Sequence, residues 1–89
     1  MHPNFHNLME DIVLQYVDTV MESHPYCRCE ICRNDVIAYA LNHLPPRYVV
    51  TDTGRMLVKL DSYAAQFRTD VVSALGEAVQ VVGSKPRHT

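Results

Sequence analysis

From Phe5 onward the apolar residues Phe5, Leu8, Met9, Ile12, Val13, Tyr16, Val17, Val20 and Met21 recur by threes and ones. That period is the buried stripe of an amphipathic helix. Asn4 suits the N-cap, and Pro3 before it has no N–H to offer a helix. Glu10 and Asp11 fall where the helix dipole favours negative charge. Pro25 predicts an end near Ser23. After a short connection, His24 to Cys29, a second helix is predicted from about Glu30 to Leu44. Val36, Ile37, Ala40, Leu41 and Leu44 keep its spacing, and Pro45-Pro46 stops it.

The pattern then changes. Arg47 to Thr51 is rich in strand-forming residues, Asp52-Thr53-Gly54 reads as a turn, and Met56, Val58 and Leu60 alternate. These pieces predict a small hairpin or an extended connector. A last helix is expected from Asp61 or Ser62 to Val82, with Ala64, Phe67, Val71, Leu75, Ala78 and Val82 as its stripe and Gly83 as its C-cap. The fold class is therefore all-α: a small domain of three to four helices with a short extended connector. It occupies residues 1–83 as a single unit, and residues 84–89 form a disordered basic tail. The stripes on the first and last helices are long for so small a monomer, so a homodimer is expected.

Composition narrows the function. With 89 residues there is room for one core only. A net charge of −2 argues against a domain that neutralises many DNA phosphates, but not against one small anionic ligand. No apolar run approaches the length of a membrane helix, and Met1-His2-Pro3-Asn4 lacks the pattern of a signal peptide, so a cytoplasmic protein is expected. No nucleophile–base arrangement, carboxylate-pair motif or phosphate-cradling glycine loop is visible, so no enzyme is expected. The three cysteines all fall in Cys27-x-Cys29-x-x-Cys32. Thiolates at that spacing suit tetrahedral zinc. The fourth position is open to His24, His43, His88, Asp35 or a residue of a second subunit.

The run from Cys27 through Asp35-Val36 and Ala40-Leu41-Asn42 to Leu44-Pro45-Pro46-Arg47-Tyr48-Val49 resembles the signature of the bacterial late competence protein ComFB family. The resemblance covers a quarter of the chain by motif, and the flanking helices extend it to nearly all of it. It implies a small helical dimer. It also implies zinc held by four cysteines, three in the knuckle and one near the C-terminus; this chain has the three and no fourth. It further implies binding of the second messenger cyclic di-GMP, with the signal passed on to a protein partner. A role in DNA uptake does not follow from the family name.

The residue types near the motif suit such a ligand. Arginine engages guanine N7 and O6 or phosphate, aspartate accepts from the guanine Watson–Crick edge, and tyrosine stacks on the base. The candidates are Arg28, Arg33, Asp35, Asn42, Arg47, Tyr48 and Thr51, with Arg55 nearby. Each also has an ordinary structural role open to it: dipole compensation for Asp35, capping for Asn42, packing for Tyr48 and solvation for the arginines. A two-fold ligand suits a two-fold dimer, so binding at or near the dimer interface is expected.

Overall fold

The computed structural model describes residues 5–50 and 53–87, without the side chains of 53–61. Thr51 and His88 lie outside the described residues. In chain order the elements are β1 (Phe5–Asn7), α1 (Leu8–Glu22), α2 (Glu30–Asn42), β2 (Tyr48–Val50) and α3 (Thr53–Ser84). The fold is mostly helical, as expected. No helix among the described residues is long and apolar enough to cross a membrane.

The stripe of α1 is buried as its period predicts: Leu8, Met9, Ile12, Val13, Val17, Val20 and Met21 all enter the core. They meet Cys32, Val36, Ala40 and Leu44 from α2 and its end, and Ala64, Val71, Ala74, Leu75, Ala78 and Val79 from α3. The long helix α3 packs on both others, most extensively on α1. Burying these side chains contributes about 1.5–3 kcal/mol for each large one, which makes this layer the main source of stability.

Four expectations are corrected. The first helix begins at Leu8, not after Asn4. Residues 5–7 are extended and pair antiparallel with β2, in the register Phe5↔Val50, His6↔Val49 and Asn7↔Tyr48. Asn7 is the N-cap, its Oδ1 accepting from the Met9 N–H at 3.1 Å. The second helix stops at Asn42, with His43 as its C-cap, two residues short of Leu44. Residues 55–60 are helical, the start of α3, rather than half of a hairpin. Arg55, Met56, Leu57, Lys59 and Leu60 are good helix formers, and three alternating apolar positions do not outweigh them. Gly83 is not a left-handed C-cap, since no glycine has positive φ. The helix runs past it to Ser84, and its missing side chain makes room for the ring of Tyr26.

Candidate metal knuckle and ligand site

The knuckle sits where the α1–α2 connection turns into α2. Cys29 is the N-cap residue, in extended conformation (φ −67°, ψ 168°), and Cys32 is buried one turn later. Cys27 and Cys29 are exposed. The three Sγ atoms lie within 4.8 Å of one another. A tetrahedral Zn–S bond of about 2.3 Å asks for sulfurs about 3.8 Å apart, so only small rotamer changes are needed. The Cys29 N–H donates to Cys27 Sγ at 3.5 Å. The Cys32 backbone N–H, chiefly, and then the Cys27 thiol hold Cys29 below its ordinary pKa. Burial pushes the Cys32 thiol up, to about 12, with its two sulfur neighbours adding to the effect. A bound cation reverses that cost, because it stabilises all three thiolates together. The cluster can thus hold a metal ion, and its donors fit three of the four positions of a zinc site. Among the described residues no histidine or carboxylate joins it.

The predicted ligand residues fall into two groups at opposite ends of α2. At its start, Arg28 is exposed. Arg33 donates to Asp18 on α1 through Nε (2.9 Å) and Nη2 (3.3 Å) and holds that carboxyl below its usual range. Asp35 accepts from Arg87 Nε at 2.7 Å and is likewise held low. Arg33 and Asp35 are therefore engaged within the fold, whereas Arg28 reaches into solvent.

At the other end lie Asn42, Arg47 and Tyr48. Pro45-Pro46 carries the chain away from α2, and Arg47 is then gripped on both sides. Its N–H donates to Asn7 Oδ1 at 2.7 Å, and its carbonyl accepts from the Leu8 N–H at 2.6 Å. Its guanidinium lies 5.1 Å from the Tyr63 ring centre and 5.4 Å from that of Phe67, both on α3. No carboxylate among the described residues pairs with it. Beside it Tyr48 is 65% exposed, tilted against Phe5 (62% exposed) with ring centres 6.4 Å apart. Val50 completes this outward face of the ribbon.

Next to this group a cleft of about 280 Å³ opens between the end of α2 and α3, lined by His43, Leu44, Pro45, Asp70, Ser73, Ala74 and Glu77. His43 is fixed there: Nδ1 donates to the Tyr39 carbonyl at 2.8 Å, and its ring stacks on Tyr39 at 4.1 Å. Partial burial, then Glu77, raises the Tyr39 hydroxyl above its ordinary pKa. Asp70, Ser73 and Glu77 were not among the residues the sequence singled out. Their spacing of three and four along α3 is that of any solvated helix face, so only the position of α2 marks them.

A three-helix domain with a two-stranded ribbon and a cysteine knuckle is thereby defined, and comparison with known proteins places it. The family described as "Late competence development protein ComFB" matches residues 6–86, and the chain belongs to that family. It is similar to the competence protein ComFB of Bacillus subtilis (strain 168), with 30% identity over 79 residues, 89% of this chain and 78% of that one. A solved structure, that of the late competence protein ComFB from Bacillus subtilis, superposes with a TM-score of 0.78 at 30% identity, covering 92% of this chain and 93% of the other.

Proposed function

We propose that this protein is a non-catalytic, cytoplasmic signalling receptor for cyclic di-GMP that acts as a homodimer and passes the signal to a protein partner. The observation that carries the reading is Arg47: a solvent-facing guanidinium fixed through its backbone by Asn7 and Leu8 and through its side chain by two aromatic rings. A cation preorganised in this way loses little entropy when it meets an anion. Tyr48 beside it offers a stacking face to guanine. The cleft one step away offers Asp70 and Glu77 as acceptors for the N1–H and N2–H donors of the base. The exposed ribbon face of Phe5, Tyr48 and Val50 favours a two-fold arrangement that covers it and lets a two-fold ligand use one set of contacts twice.

Calorimetric titration with cyclic di-GMP tests this, with cyclic di-AMP and GTP as controls. Selective, saturable binding supports the reading. Arg47→Ala removes a charge-assisted contact and is expected to weaken affinity about 10–100-fold. The absence of binding by a folded dimer sinks it. A second reading, a zinc-stabilised protein-interaction module without a nucleotide ligand, is favoured by the three-sulfur cluster. Stoichiometric metal together with a blank nucleotide titration selects it.

A further inference from the structure

Three thiols gathered at the start of α2 can also do chemistry that needs no metal. Their Sγ atoms lie within 4.8 Å of one another, and a disulfide closes at about 2.05 Å. The fold divides the three by access and by place. Cys29 is exposed and is the N-cap residue of α2. The Arg33 N–H donates to the Cys29 carbonyl at 2.8 Å, which closes the first turn of the helix. Cys32 therefore stands three positions on and on the same side as Cys29, and it is buried.

Cys27 is exposed too, but it sits in the connection before the helix, with its Sγ turned to the Cys29 N–H at 3.5 Å. A disulfide from Cys27 to Cys29 would close a strained ring around one residue, Arg28. The pair that the backbone favours is thus Cys29 with Cys32, a sulfur that solvent reaches beside one that the core shields.

We infer that Cys29 and Cys32 form a reversible redox pair, oxidised to a disulfide by small disulfides of the form RS–SR, with Cys27 left as a thiol. In the first step the Cys29 sulfur, as thiolate, attacks one sulfur of the oxidant. A Cys29–SR bond forms, the RS–SR bond breaks, and RS⁻ leaves. In the second step the Cys32 thiol loses its proton and attacks Cys29 Sγ, expelling the second RS⁻. Two protein thiols are oxidised, one RS–SR is reduced to two RSH, and the two cysteine protons end on the RSH products. Burial sets the order, because the oxidant reaches Cys29 and not Cys32. The inference rests neither on nucleotide binding nor on metal binding. The disulfide and a bound metal exclude each other, since a ligating sulfur must be a thiolate.

The full-length chain is equilibrated in glutathione buffers of rising oxidised fraction, with a chelator present so that no metal masks the sulfurs. Thiols are then alkylated and the linkages mapped by peptide mass spectrometry. The thiol count is expected to fall from three to one, with Cys29 joined to Cys32, and dithiothreitol should restore all three. Cys27→Ser should form the same disulfide, and Cys29→Ser should lose it. Cys32→Ala should stop at the mixed disulfide of Cys29 with glutathione. Should that core variant fail to fold, the exposed Cys29→Ser and the wild-type map decide. The inference falls if the wild-type map joins Cys27 to either partner or links two chains. It falls equally if only mixed disulfides form, or if all three thiols survive the most oxidising buffer. A blank titration with cyclic di-GMP leaves it standing.

Discussion

Helix α3 holds two glycines in different surroundings, so one substitution made twice has opposite expected signs. At Gly76 a Cβ meets nothing within 4 Å. The position is mid-helix, where alanine is better than glycine by about 0.8–1.0 kcal/mol, largely because the unfolded chain loses freedom. Gly76→Ala should therefore stabilise by about 1 kcal/mol, raising the midpoint by about 4–8 °C in a domain of this size. At Gly83 the same methyl overlaps Cγ and both Cδ atoms of Tyr26, so the whole ring must leave. Tyr26 is 37% exposed, so a ring that loses its packing forfeits only part of the about 1.5–3 kcal/mol that full burial of a large side chain contributes. A last-turn position recovers only a fraction of the helix propensity. Gly83→Ala should be destabilising by about 1 kcal/mol, and Tyr26→Ala should remove most of that penalty, since the two residues touch. Far-UV circular dichroism melts at one fixed protein concentration measure all three, because any self-association makes a midpoint depend on concentration. Equal stabilisation by both glycine variants would refute the packing of Tyr26 on α3.

Three further outcomes are expected. Asn7→Ala removes the cap of α1 and the acceptor for the Arg47 N–H together, so it should cost about 1–2 kcal/mol in chemical denaturation and also weaken nucleotide affinity; a purely local effect on stability would separate the two roles. Leu75→Ala empties a fully buried position and should cost about 3–5 kcal/mol, a large part of the stability of an 89-residue domain, read as a drop in urea midpoint; a loss under 1 kcal/mol would contradict the core assignment. The Asp35 carboxyl is held below its ordinary value of 3.8 by the Arg87 guanidinium, so the tail contact is fully present above pH 3.8 and is lost as pH falls through the lower folded value. Following the Arg87 Nε–H resonance from pH 6 downward measures this, and detachment above pH 4 would run against it.

The helical part of the fold was legible because burial writes itself into the chain at a period of 3.6. The α1 stripe from Leu8 to Met21 is buried at every position except Tyr16, which is half-buried against the core. Phe5 fits the same period and yet stands outside the helix, exposed on the ribbon. Asn4 and Asn7 are equally good caps, and the choice between them is made by pairing with residues more than forty positions away, which no local pattern contains. The start of α3 is hidden for a related reason: Met56, Val58 and Leu60 satisfy a two-residue period over a stretch too short to exclude the helix.

Of the candidate site, the sulfur cluster was fully legible, because its spacing lies within one turn. The ligand residues were legible only as types. Arg33 and Asp35 looked as available as Arg47, and their partners Asp18 and Arg87 are 15 and 52 residues away. The acidic wall of the cleft, Asp70 and Glu77, exists only where α3 passes the end of α2.

The dominance of the α1–α3 contact has a bearing on how the chain reaches this state. Synthesis is vectorial, and α1 with α2 emerges first as a helical hairpin whose largest apolar side chains, Leu8, Met9 and Ile12 among them, still await Val71, Leu75 and Val79. Until α3 is made, that stripe has no cover, and an uncovered apolar stripe is a surface that chaperones or a second nascent copy can seize. Docking of the far end of α3 onto that stripe completes the core, and if it is rate-limiting, substitutions at Val71 or Leu75 should lower the refolding rate more than those within α2.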